Sequence, residues 1–237
     1  TRYMLDDLGF TYTILHNQDF KSTKTKKVDL KASFDVIILA SENPEIIKTG
    51  RFSRGSEFAR FFASQMPPEY EGGIGQEGVD ALKAFVEAGG ILVTLNQASE
   101  LAMSELGAPA RNSLSGVDRS KFFCPVSILR LKVDNTTPLG YGLAEETAAL
   151  FNQSLALDTW APPAKMDRKV VAYYPEDNIL LSGWLMGEEY LSRKAAVVDV
   201  KSGRGHIALI GFRAQHRAQS HGTYKFLLNA FFYPEGV

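Results

Sequence analysis

GHIALIGFRAQHRAQSHGTYKFLLNAFFY, residues Gly205 to Tyr233, is the stretch on which the reading of the fold turns. Its first part, Ile207–Phe212, is an almost unbroken apolar run of strand length. A strand of that composition is buried on both faces, which favours a parallel sheet covered by helices. Its last part places Tyr224, Leu227, Leu228 and Phe231 at i, i+3, i+4 and i+7, one face of a helix, with Thr223 in position to cap it. The polar loop between them holds Arg213, Gln215, His216, Arg217, Gln219, Ser220 and His221, so two of the chain's four histidines lie where a strand ends and a helix begins. In open α/β sheets, ligands bind at that end of the strands.

Upstream, apolar runs and helical patterns alternate. Phe34–Ala40 (FDVIILA) and Ile91–Leu95 (ILVTL) read as further strands buried on both faces, and Tyr12–Leu15 as a short one. Helices are expected at Tyr3–Leu8, stopped by Gly9, and over the segment carrying Val79, Leu82, Phe85 and Val86, stopped by Gly89 and Gly90. Another runs through Leu106 and ends at Gly107, and SEFARFFASQM (Ser56–Met66) reads as a small helical excursion capped by Ser56 and ended by Pro67 and Pro68. Towards the C-terminus, strands are expected at Phe122–Val133 (interrupted at Pro125), Leu155–Trp160, Lys169–Pro175 and Ala195–Val200, with a short helix at Glu145–Phe151. The alternation in Lys169–Pro175 points to an antiparallel pair or a sheet edge. Residues 1–237 therefore read as a single α/β domain: a mostly parallel sheet with helices on both faces and an antiparallel extension. A doubly wound sheet has a strand before its first helix. This pattern starts on the helix, so the first strand is expected to be missing.

A net charge of −1 gives no reason to expect nucleic acid or an anionic membrane as partner. Lys21, Lys24, Lys26, Lys27 and Lys31 lack interleaved aromatics and read as a solvated loop. No apolar run approaches the roughly 20 residues of a membrane span. Cys124 is the sole cysteine, so no disulfide can form within the chain.

The motifs that could carry chemistry are incomplete. Gly73 to Gly78 satisfy G-x-G-x-x-G, but two prolines and two glutamates precede them where a dinucleotide site needs a strand. A flexible loop feeding a helix is the better reading. The turn after Ile91–Leu95 resembles the strand-to-helix elbow on which hydrolases and amidotransferases carry a nucleophile. Its positions hold Leu95, Asn96 and Gln97, none of them a nucleophile, and Ser99 is placed as a helix cap. His216 and His221 are five residues apart, the wrong spacing for a zinc pair, and no H-x-x-E occurs, so no metal is expected in this chain. Cys124, between Phe123 and Pro125, reads as a buried core thiol. The competing reading is a hydrolase in which Cys124 or Ser99 attacks with His216 as base. Glu145-Glu146 reads as a solvated pair, whereas one of Glu188 and Glu189 is placed to meet the Arg213 or Arg217 loop. That loop either grips a carboxylate or phosphate or hydrogen-bonds its neighbours and closes the open end of the sheet. The structural role is favoured, since no nucleophile is placed to use a pocket there. Asn96, Gln97, Ser99, Arg213, His216, Arg217 and His221 are the candidate ligand-binding residues, with no catalytic assignment.

Four phrases, in order, resemble one family: Pro67–Glu100 (PPEYEGGIGQEGVDALKAFVEAGGILVTLNQASE), Phe122–Asp134 (FFCPVSILRLKVD), Leu180–Leu191 (LLSGWLMGEEYL) and Gly211–Ala230 (GFRAQHRAQSHGTYKFLLNA). Together they look like the C-terminal domain of bacterial zinc carboxypeptidases of the carboxypeptidase A-like peptidase family. The resemblance implies a class I glutamine amidotransferase-like, flavodoxin-like fold. It implies an upstream peptidase domain that holds zinc through H-x-x-E and a later histidine, with none of those ligands in this chain. What it carries onto these residues is the elbow at Leu95-Asn96-Gln97 and the His216 loop, the elbow lacking the cysteine of active amidotransferases. It also implies export to the periplasm or medium. The expected role is a non-catalytic accessory domain that packs on the peptidase domain, self-associates as a homo-oligomer, or grips a peptide or glycan.

Overall fold

The computed structural model describes residues 1–22, 28–51, 67, 71–162, 164, 166–217 and 219–233. The expected Ser56–Met66 excursion, Pro68, and Lys24, Lys26 and Lys27 of the lysine-rich loop lie outside them.

Strand β1 is Val36–Leu39, β2 is Ile91–Leu95 and β10 is Gly205–Ile210. β2 lies between the other two and runs parallel to both. Every residue of β2 and β10 is buried, as their unbroken apolar runs require. Ile91, Val93, Leu95, Ala208 and Ile210 face one core cluster, and Leu92, Ile207 and Leu209 face the other. Each fully buried Leu, Ile or Val contributes roughly 1.5–3 kcal/mol, so these two strands are the centre of the apolar core.

The helices cover both faces. Helices α3 (Gly75–Glu87) and α4 (Ser99–Glu105) bury Val79, Leu82, Phe85, Val86, Leu101 and Ala102 against one cluster. Helices α1 (Arg2–Asp7) and α5 (Tyr224–Leu228) bury Met4, Leu5, Phe226 and Leu227 against the other. The short α2 (Pro44–Thr49) packs between α3 and α4; its Asn43 cap accepts from the Glu45 amide at 2.8 Å. α3 ends where its glycines require: Gly89 takes φ 107°, and the Gly90 amide donates to the Phe85 carbonyl at 2.9 Å.

Beyond β10 the sheet continues antiparallel. The order is β1-β2-β10-β9-β7-β4-β5, with β9 at Ala195–Ser202, β7 at Met166–Tyr173, β4 at Ser127–Val133 and β5 at Glu146–Phe151. Three short strands join from the side: β3 (Ala110–Asn112) pairs β6 (Leu157–Thr159), and β8 (Leu180–Ser182) pairs β4. Among the described residues parallel pairing is confined to β1, β2 and β10, so the sheet is not mostly parallel and the expected antiparallel extension is its larger part. No strand precedes β1 among the described residues.

Several local expectations are corrected. Glu145–Phe151 is not a helix but contributes β5, although Ala, Glu and Leu favour helices. Its ladder with β4 runs from Lys132↔Glu146 to Ser127↔Phe151, and Glu146 meets Arg130 and Lys132 across it. Tertiary pairing overrides the propensity. Tyr12–Leu15 joins no ladder among the described residues, so the expected short strand is not formed there. Phe34–Ala40 does form a strand, yet three of β1's four residues are only half-buried. Thr223 precedes α5, but its hydroxyl reaches the Ala214 carbonyl at 2.7 Å rather than a helix amide.

The β9–β10 turn closes the C-terminal end of α3. The Arg204 amide donates to the Glu87 carbonyl at 3.2 Å and its guanidinium to the Ala88 carbonyl at 2.9 Å, satisfying two acceptors that a helix end leaves open. Gly205 makes that approach possible, since a Cβ there would lie 2.2 Å from both the Gly90 and the Val86 carbonyl oxygens. Gly205→Ala is therefore expected to lower stability by about 1–3 kcal/mol, read as a fall in the urea midpoint. An unchanged midpoint would show that the turn can move off the helix freely.

Candidate functional site at the ends of β2 and β10

The chain leaves β2 with Leu95 still extended and turns at Asn96, whose φ is +53°. Residues Asn96–Ala98 make one 3-10 turn that leads into α4. A left-handed residue at a strand-to-helix turn is the geometry of an elbow. Asparagine tolerates it better than most L-residues. Asn96 is wholly buried, and its Nδ2 donates to Ser41 Oγ at 3.1 Å. Its Oδ1 meets no donor among the described residues. Ser41 follows β1, so this hydrogen bond ties the C-terminal ends of neighbouring parallel strands. Gln97 beside it is half-buried.

Ser99 is not the helix cap. It is fully buried at the first residue of α4, where its Oγ donates to the Thr94 carbonyl at 3.2 Å and accepts from Thr94 Oγ1 at 2.9 Å. A hydroxyl engaged in this way stabilises the turn from inside.

The second group leaves β10 one strand over, Ile210 being the register partner of Leu95. Arg213 Nε donates to the Asn152 carbonyl at 3.3 Å, between β5 and β6. Gln215 Nε2 donates to Thr1 Oγ1 at 2.9 Å. His216 and Gln219 form a tight turn, closed by the Gln219 amide on the His216 carbonyl at 2.9 Å, with Arg217 at φ +49°. The His221 ring lies 5.0 Å from that of Tyr224. Burial, then the Arg213 and Arg217 charges, hold the His216 imidazole below its ordinary pKa. The two groups therefore start at adjoining strand ends and diverge. Asn96 turns towards β1, and Arg213 towards the β5–β6 connection.

Glu188 does not reach this loop, because its carboxylate accepts from the Ile179 amide. Cys124 lies in the core just before β4, where burial raises its thiol pKa against a smaller opposing effect of the Ser127 hydrogen bond. The glycine motif is accounted for by packing. Among the described residues no strand leads into it, and a Cβ on Gly73 would lie 2.5 Å from the Lys48 carbonyl at the end of α2. Among the described residues no three His, Cys, Asp or Glu groups converge as metal ligands, and no helix is long and apolar enough to cross a membrane. Ser41 and Thr94 escaped the sequence reading. The available signal was that Ser41 stands just past one parallel strand as Asn96 stands just past the next.

Asn96→Gly is expected to stay within about 1 kcal/mol of the parent, since relief of the left-handed strain offsets the lost hydrogen bond, whereas Asn96→Val should cost about 2 kcal/mol or more. Urea unfolding of the two variants checks this; equal stabilities would remove backbone strain from the account. An imidazole harder to protonate folded than unfolded takes up its proton preferentially in the unfolded chain. His216 thus lowers stability as pH falls below about 6.5, and removing a neighbouring cation weakens that effect. Arg217→Gln should move the His216 titration upwards, as followed by NMR of the ring; no movement would place Arg217 out of electrostatic reach.

No family model and no curated protein matches the sequence. Solved structures do match the fold. A cytoplasmic protein of Salmonella typhimurium aligns at TM-score 0.54 and 11% identity over 99% of this chain and 85% of its own. A second cytoplasmic protein, from strain LT2 of that species, aligns at TM-score 0.53 and 10% identity over 98% and 82%. A GMP synthase-like protein from Thermoplasma acidophilum aligns at TM-score 0.50 and 10% identity over 98% and 86%. At such identities the likeness is one of architecture: the chain has a class I glutamine amidotransferase-like α/β fold.

Proposed function

We propose that this chain is a non-catalytic, amidotransferase-like domain that works by interaction, as the accessory domain of a zinc carboxypeptidase-like protein. The observation that carries the reading is Asn96. It occupies the left-handed elbow position, fully buried, with its amide spent on Ser41. An amide nitrogen bound in this way cannot attack a carbonyl. The hydroxyl next along, Ser99, is held by Thr94, and Cys124 is a core thiol beside Ser127 and Tyr174. In this reading zinc belongs to an upstream peptidase domain, the parent protein is exported, and peptide, glycan or a second copy engages the β2 and β10 strand ends. The carboxypeptidase assignment rests on the four sequence phrases.

Chromogenic amide and ester substrates, assayed on the parent chain and on Cys124→Ala, Ser99→Ala and His216→Ala, supply the test. All four proteins are expected to give the same background rate. Turnover abolished by His216→Ala together with one of the other two, in variants that remain folded, would make the chain a hydrolase instead.

A further inference from the structure

Helix α4 and the β3–β6 pair line a cavity of about 730 Å³, within the size range of small-molecule sites. It shares no lining residue with the Asn96 and His216 groups, so binding here is independent of anything held at the β2 and β10 strand ends. α4 contributes Glu100, Met103 and Ser104, and β3 contributes Arg111 and Asn112. Asp158 comes from β6, and Trp160 stands just past its end.

Trp160 is the unusual member of this lining, because 47% of it is exposed. Its backbone is pinned on both sides, the amide donating to the Pro109 carbonyl at 3.3 Å and the carbonyl accepting from Arg168 Nε at 3.0 Å. The main chain therefore holds a large aromatic side chain at the cavity and out of the core. The face of an indole is electron-rich and attracts partially positive hydrogens.

The polar groups are fixed before any ligand arrives. Asn112 Nδ2 donates to Glu100 Oε1 at 2.9 Å, and its Oδ1 accepts from the Leu114 amide at 3.1 Å. Arg111, the ladder partner of Asp158, donates to that carboxylate from Nη2 at 3.2 Å, and Lys194 Nζ donates to it at 2.6 Å. The Lys194 hydrogen bond, with Arg111 adding to it, holds Asp158 below the ordinary carboxylate range against the opposing effect of burial. These planar groups keep capacity for a ligand, since a guanidinium has five N–H donors and a carboxylate about four acceptor sites.

The charges indicate what that ligand is. Glu100 and Asp158 are balanced by Arg111 and Lys194, so the site has no net charge to draw in an ion. An anion would compete with Asp158 for Arg111, and a cation would compete with Lys194 for Asp158. A neutral molecule rich in hydroxyls, with one flat apolar face, meets neither obstacle. A pyranose ring has that character: its hydroxyls both donate and accept, and its axial C–H bonds form a patch that fits an indole. We propose that this cavity binds a neutral pyranose saccharide, its ring stacked on Trp160 and its hydroxyls on Glu100, Asn112 and Arg111.

Trp160 and Trp184 are the chain's two tryptophans, so Trp184→Phe leaves Trp160 as the sole indole reporter. Maltotriose, cellotriose and triacetylchitotriose are titrated into that variant. At least one is expected to change its emission saturably, with a Kd of about 1 mM or tighter. Calorimetry on the parent chain and its variants then locates the site. Trp160→Ala should weaken binding roughly tenfold, and Trp160→Phe, which keeps an aromatic face, should lose less. Arg111→Ala, at a side chain already 72% exposed, should weaken binding severalfold and carries the comparison if Trp160→Ala does not fold. The proposal is overturned if none of the three saccharides saturates by about 10 mM, or if affinity survives these substitutions unchanged. Tighter binding of trigalacturonate or inorganic phosphate than of every neutral sugar would overturn it equally, making Arg111 the centre of an anion site.

Discussion

The structure depends on β10 having one neighbour that runs with it and one that runs against it. Its parallel partner β2 is reached across more than a hundred residues of chain, and its antiparallel partner β9 across a tight turn. Both ladders draw on the same five residues, His206–Ile210, whose side chains must be covered on both faces at once. Gly205, His206, Ile207, Ala208, Leu209 and Ile210 are all buried. His206 is the one ionisable group among them, and its Nδ1 is 3.0 Å from the Asp199 carboxylate on β9, which the Tyr233 hydroxyl also meets. Burial of such groups without partners is costly, so Tyr233 is held against the seam by the polar group the seam contains.

From that seam the two halves differ in kind. On the β2 side the sheet is parallel and helices cover both of its faces. On the β9 side the chain runs back and forth, and β4 alternates buried and less buried positions along its whole length. The Arg213 loop bridges the halves physically, reaching Asn152 on the antiparallel side and, through Gln215, Thr1 on the helical side. Burial in that bridge, and then the Arg213 and Arg217 charges, depress the basicity of His216.

The elbow shows how geometry can persist apart from chemistry. A left-handed residue other than glycine costs roughly 1–2 kcal/mol, and Asn96 bears that strain in exchange for joining the ends of β1 and β2. The Thr94–Ser99 pair braces the turn from within. Such a turn is a structural corner of the sheet, and a nucleophile is an optional occupant of it.

Some of this could be read from residues alone. The apolar runs of β2 and β10 determined that these strands are buried on both faces, because a strand with one face in water alternates polar and apolar positions. The i, i+3, i+7 spacing of Val79, Leu82 and Val86, with Gly89 and Gly90 after it, determined α3 and its end, because both signals are local. Tertiary structure decided the rest. Glu146–Phe151 became a strand because β4 offered a ladder and two cations for Glu146, although its own propensity is helical. An apolar run states that a strand needs cover but not where the cover comes from, so β1 could not be placed at an edge in advance. Whether Asn96 and the His216 loop share a pocket was likewise undecided by their sequence positions: adjoining strand ends bring two loops together, and only the hydrogen bonds to Ser41 and Asn152 turn them apart.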